Sequence, residues 1–300
     1  MGHLVIAMLF LGCTPPETVE EACPARVRGD ERGDAAAAAA VLRASCYRKL
    51  IGFDAFEING SLQSATSAHT QWMDTNDAFT DVETPGTPDF VGETFTDRAQ
   101  AAGWVASAYF WTLYDRDVGD DPVAVIDRWI ADPYRREALL QPDARYVGFG
   151  LSGGFASWAT AFDFPTRTAG YAVYPRDGQR DVPTTWDSEG YTGDDVPDGE
   201  VGFPITITVG APEGNTDATG VFLPNPYELV IDDVVLAGPN GPVANVVVTP
   251  DNPPQNGSLL ATAAVIPLDP LERGETWILQ AKITWLGGEA DVSSTFVTAE

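Results

Sequence analysis

Histidine is nearly missing from this chain: 300 residues hold two, His3 and His69. A zinc site built on several imidazoles, or a Ser-His-Asp relay, has little to draw on. Cysteine is almost as scarce. There are three, with no CxxC pair and no Cys/His spacing of the metal-binding kind. Basic residues are few as well, 17 Lys and Arg against 44 Asp and Glu, for a net charge of −27. So acidic a chain repels nucleic acid and anionic lipid headgroups, which makes both poor partners a priori. Long apolar runs are absent too: Leu4–Gly12 is far too short to span a bilayer as a helix. The acidity is not that of a disordered chain, because 44% of residues are hydrophobic and eight are tryptophan.

The first residues read MGHLVIAMLFLGCTPPETVEEACP. A short apolar run ends in LFLGC and meets a Pro- and Glu-rich stretch, an order that resembles the lipobox of bacterial lipoprotein signal peptides. That resemblance implies removal of residues 1–12 and acylation of Cys13, giving a membrane anchor at the mature N-terminus. No Lys or Arg precedes the run, and Phe10 stands where leucine is usual. With Cys13 acylated, Cys23 and Cys46 remain as an even pair in an oxidising compartment. They are either a disulfide closing the tether onto the first helix or two unrelated thiols.

Residues 13–34 read as a charged tether. Helical patterns follow over Ala35–Ile51, over SLQSATSAHTQWMDTND with Ser61 as its cap, and over TFTDRAQAAGW, where Thr94 and Asp97 form a capping box. A fourth opens at Asp121-Pro122 and is expected to stop at Asp132-Pro133. Two alternating aromatic runs around Gly153-Gly154 predict a hairpin. Residues 166–200 are rich in Pro, Gly and Asp without period and read as an acidic linker. From 201 to 300 only strand-like runs occur, with Gly287-Gly288 as a hairpin turn, which predicts a β-sandwich.

Two phrases carry a family resemblance. FVGETFTDRAQAAGW and the spaced series W..DPYRR..LL.P....VGFG resemble the bacterial SCP-like branch of the CAP superfamily. LDPLERGETWILQAKITW is similar to the bacterial Ig-like module. The implied fold class is α+β: a CAP-like α-β-α sandwich over 35–165, followed by an all-β Ig-like sandwich over 201–300. CAP domains are marked by a cleft with two histidines and one or two glutamates. Matched position by position, the first histidine falls on Asp81 and the second on Arg135, while the stretch VASAYFWTLY expected to hold the glutamate has no acid.

Arginine carries a permanent charge and has no lone pair, so it can neither ligate a metal nor shuttle a proton near neutral pH. Two readings of Arg135 stay open: an ion pair with Asp81 across a degenerate cleft, or a cation placed on helix-end carbonyls and water. His69 falls on the buried stripe of its helix and reads as a core residue. Glu93 reads as a capping or surface charge, and Tyr109, Phe110 and Trp111 as packing, with an aromatic floor for an apolar ligand as the alternative. Asp187–Glu200 is acidic enough to attract calcium but lacks the spacing of a calcium loop. The expectation is a non-enzymatic, lipid-anchored envelope protein without cofactor or metal. It would bind a small apolar or anionic ligand, or an envelope polymer or protein, and no nucleic acid. A hydrolase using non-standard cleft residues is the alternative.

Overall fold

The computed structural model describes residues 15–105, 110–162, 170–191, 196–210, 228–254, 257 and 259–300. Cys13, Tyr109 and residues 192–195 of the acidic run lie outside them. The first region runs α1 (Val19–Ala22), α2 (Ala35–Leu50), β1 (Glu57–Ile58), α3 (Gly60–Asn76), α4 (Phe95–Ala101), β2 (Phe110–Asp115), α5 (Pro122–Ala131), α6 (Pro133–Leu140), β3 (Ala144–Ser152) and β4 (Phe155–Phe162). Its sheet has the order β1-β3-β4-β2. The hairpin is tight, Ser152 pairing Phe155 around Gly153-Gly154.

Several starts follow from local chemistry. Asp34 caps α2, its carboxylate accepting from the Ala37 N–H at 2.8 Å. Thr94 and Asp97 form the reciprocal box at α4. One boundary differs from the sequence expectation. The cap of α3 is Asn59, whose amide oxygen accepts from Ser61 and Leu62. Asp132-Pro133 ends α5 as expected and also opens a further helix: Asp132 accepts from the Tyr134 N–H, proline takes the first helical position, and α6 begins there.

Helices cover both faces of the sheet. On one face α3 packs along β3 and β4, so closely that a Cβ on Gly148 would stand 2.4 Å from the Leu62 carbonyl carbon and one on Gly150 2.6 Å from the Thr66 oxygen. The glycines of VGFG therefore let helix backbone rest on strand backbone. On the other face Trp129, Ile126 and Leu139 from α5 and α6 meet Val147, Phe149 and Trp158 in one buried cluster. Full burial of each such side chain contributes about 1.5–3 kcal/mol. Strand β2 alternates between these layers: Trp111 and Leu113 join the α5 side, while Phe110 packs with Phe95 and Trp104 on the α4 side.

The second region is all-β. It comprises β5 (Tyr171–Tyr174), β6 (Gln179–Val182), β7 (Thr185–Asp187), β8 (Glu200–Gly202), β9 (Ile205–Val209), β10 (Val230–Gly238), β11 (Gly241–Pro242), β12 (Asn245–Val248), β13 (Thr262–Pro267), β14 (Thr276–Trp285) and β15 (Gly288–Thr298). Two sheets, β11-β10-β14-β15-β6 and β12-β13-β9-β5, share a buried cluster through Trp277, Leu279, Phe296, Ile205 and Val265. Trp285 pairs with Gly288, so the last hairpin turns at Leu286-Gly287, one residue earlier than expected.

The expected linker and tether are structured parts of the fold. β5 pairs with β9 and β6 with β15, so the stretch read as an acidic linker supplies strands to both sheets. Residues 15–34 bury Ala22 and Val27, and Cys23 is disulfide-bonded to Cys46 of α2. One buried cluster runs from Tyr47 and Leu50 of the first region to Tyr174 and Phe203 of the second.

Candidate functional site

Arg135 sits on the first turn of α6 and points at the end of β2. Its Nη1 lies 2.6 Å from Asp115 Oδ2, and its Nε 3.6 Å from Asp132 Oδ2. Asp115 is nearly buried and is a hub: the Trp129 indole donates to the same oxygen at 3.1 Å, and Arg128 Nε stands 3.6 Å away. Asp132 caps the helix and accepts from the Tyr191 hydroxyl of the second region. Burial pushes the Asp132 carboxyl pKa up, against the hydrogen bond from Tyr191 and the charge of Arg135.

Around Arg135 opens a cavity of about 620 Å³ at the junction of the two regions. Arg128, Asp132 and Arg135 form one wall; Trp186, Glu189 and Tyr191 form the other. Tyr134, Trp186 and Tyr191 pack ring against ring behind it, with centroids 4.6–6.1 Å apart. The pocket offers a fixed cation, a second guanidinium and carboxylates, with no imidazole.

Asp81 is not part of this arrangement. Its side chain is exposed, and its backbone oxygen accepts from Arg98 Nη2 at 3.1 Å. Neighbouring β2 residues face opposite sides of the sheet. Tyr114, edge-on to His69 at 5.0 Å, faces the α3 layer that carries Asp81 and Arg98, whereas Asp115 faces α5 and α6. The sheet therefore separates Asp81 from Arg135, and the expected cleft pair is replaced by Asp115–Arg135.

His69 belongs to the α3 layer and both its nitrogens are engaged, Nδ1 with Glu83 Oε1 and Nε2 with the Thr80 oxygen, each at 3.0 Å. Burial, reinforced by the Arg98 charge, pushes the imidazole pKa down. Glu83 also accepts from the Val91 N–H at 2.9 Å, and Arg98 donates to the Gly92 and Glu93 carbonyls. This trio holds the 80–93 loop on α3. Among the described residues no group of three or more His, Cys, Asp or Glu has metal-binding geometry, and no helix is long and apolar enough to cross a membrane.

Arg136 and Glu137 were not distinguishable as special in the sequence, yet both are almost fully buried at the junction. Arg136 donates to the oxygens of Ile130 and Ala131 and reaches across to the Pro204 oxygen at 2.7 Å and Thr206 Oγ1 at 3.2 Å. Its guanidinium lies 4.8 Å from the ring centroids of both Tyr174 and Phe203. Glu137 accepts from the Leu260 and Ala261 N–H groups, the latter at 2.5 Å. Helix α6 thus joins the two regions with its polar side chains.

Residues 46–164 match the family model of the cysteine-rich secretory protein family, CAP. This stretch is a CAP domain. Among solved structures, the CAP-containing chain is similar to an extracellular SCP-domain protein of Bacillus anthracis. The two are 17% identical over 43% of this chain and 40% of the other, with a TM-score of 0.38. A cysteine-rich secretory protein of Staphylococcus aureus is 14% identical over 43% and 38% of the two chains, TM-score 0.32. An outer surface protein of Borrelia burgdorferi is 17% identical over 40% and 84%, TM-score 0.31. The match thus spans well under half the length of the first two structures. No curated protein matches the chain.

Proposed function

We propose that the chain is an exported, lipid-anchored protein of the cell envelope whose CAP domain binds or scaffolds rather than catalyses. The observation that carries this reading is the use made of α6. Arg135, which stands where the family resemblance puts a histidine, is committed to Asp115, and the next two residues clamp the all-β region. A guanidinium held in this way offers no lone pair to a metal and no proton at neutral pH. The hydrolase alternative draws no support from it. The two-sheet region is read as an Ig-like module that presents the CAP domain. The junction cavity beside Arg135 is where a small anionic or polar ligand, or a segment of an envelope polymer, would enter. Acylation of Cys13 would tie the whole to a membrane.

Titration with zinc by calorimetry tests the non-metallic reading. The expected result is no stoichiometric uptake at micromolar metal, and zinc bound one to one and lost on Asp81→Ala would refute it. Fractionation of wild type and Cys13→Ala tests the anchor: the variant should leave the detergent-extracted membrane for the soluble exported fraction. A mature wild-type chain without acyl mass would contradict that part.

A further inference from the structure

Far from a uniformly acidic surface, the chain gathers cations in one place. A cleft of about 660 Å³ lies between the N-terminal segment, the end of α2 and the start of β3. Five of the 17 Lys and Arg residues line it: Arg26, Arg28, Arg48, Lys49 and Arg145. Three carboxylates share the lining, Asp54, Glu57 and Asp143. The cleft is therefore cationic by two charges in a chain whose net charge is −27.

The pairing of these cations is unusual. Arg26 and Arg28 flank the buried Val27, Arg28 forms a backbone bridge with Glu57, and both arginines line the cleft. Both are exposed, and among the described residues neither has an acidic partner within 4.0 Å. With 44 acids available to 17 bases, keeping two neighbouring arginines, one residue apart, clear of carboxylates is a departure from what composition favours. Lys49 stands 3.4 Å from the exposed carboxylate of Asp54, and Arg145 stands 3.8 Å from Glu57.

Behind them Arg48 is buried and bonded to carbonyls alone: those of Asp54, Leu139, Gln141 and Ala144. Asp54 and Asp143 act on it only through space. Its charge is thus incompletely neutralised at the floor of the cleft, and burial drives its pKa down to about 9.

We propose that this cleft is a binding site for phosphate-bearing anions, the phosphate ester of a lipid headgroup or of a free ligand. A guanidinium fork matches phosphate oxygens two at a time. Arg26 and Arg28, two residues apart in the lining of one cleft, can bring both forks to one tetrahedral group. A carboxylate, with two oxygens, is saturated by a single fork. Pro15 and Pro16 line the adjoining groove together with Lys49 and Gly52, which are also cleft residues. The headgroup source alone leans on the anchoring proposed above, since a chain held at Cys13 would keep the cleft beside the bilayer.

The test uses the full chain carrying Cys13→Ala, so that lipidation cannot supply membrane binding. Inorganic pyrophosphate is titrated by calorimetry at low salt, and vesicles of phosphatidylglycerol in phosphatidylcholine are tested by co-sedimentation. Saturable binding of either probe is expected, weakened about tenfold or more in R26E/R28E, as loss of two surface cations from a phosphate implies. The control R273E/K282E changes net charge equally on exposed residues of the all-β region and should leave binding within about twofold. Pyrophosphate binding assigns a free phosphate ester; binding to vesicles alone assigns a headgroup. No binding of either probe, or equal loss in the control pair, overturns the proposal. Unchanged thermal midpoints in both double variants keep misfolding out of the comparison.

Discussion

Replacing Glu137 by glutamine should change how stability responds to pH, in a direction opposite to the usual carboxylate. Glu137 is 1% exposed at the junction of α6 and the all-β region. It accepts backbone N–H bonds from Leu260 and Ala261, and these favour the charged form, but burial outweighs them and raises its pKa to about 7. The folded state therefore takes up a proton more readily than the unfolded chain, where the value is near 4.5. The linkage slope is negative between those values. The stabilising contribution is complete below about pH 4.5 and is lost as pH rises through about 7. At 1.36 kcal/mol per unit the whole effect is about 3 kcal/mol. Glutamine keeps the shape and one acceptor but does not titrate. Denaturant unfolding of both proteins from pH 5 to 8 removes the shared contribution of the acidic surface. The stability of Glu137→Gln relative to wild type should rise by about 2.5 kcal/mol across that range. A difference that stays flat, or in which wild type gains toward pH 8, would refute the reasoning.

Two further outcomes follow from the junction and the N-terminal segment. Arg136→Met keeps much of the side-chain volume but abandons the Ile130 and Pro204 carbonyls in a buried site, so denaturant unfolding should report a loss of about 3–5 kcal/mol. Breaking the 23-residue crosslink with Cys23→Ser and Cys46→Ser should cost about 3 kcal/mol by the chain-entropy relation, read as a lower denaturation midpoint under non-reducing conditions.

Local chemistry in the sequence foretold local structure. The Thr94–Asp97 box, Asp121-Pro122 and the Gly153-Gly154 turn each involve residues within a few positions of one another, and each forms where its pattern lies. The site was less legible because it depends on which side of a sheet a residue faces. Phe110–Asp115 reads FWTLYD, a run too evenly apolar for its two-residue period to show. Nothing in it announces that Tyr114 faces Asp81's side while Asp115 faces Arg135. Arg136 and Glu137 lie on an eight-residue helix whose polar middle gives no evident buried face. Both are covered only when β9 and the approach to β13 close over them. The acidic stretch after Pro165 concealed strands for the same reason: β5 and β6 are short, and their partners lie far along the chain.

Arg135 pairs with Asp115 rather than Asp81, and a pair of double-mutant cycles measures that pairing directly. Asp115→Ala and Arg135→Ala should each destabilise, and together they should cost less than the sum, with a coupling of about 1–3 kcal/mol for a contact at 2.6 Å. The Asp81–Arg135 cycle should close to within about 0.5 kcal/mol, as for sites without a shared partner. Strong coupling between positions 81 and 135, with none between 115 and 135, would contradict the account.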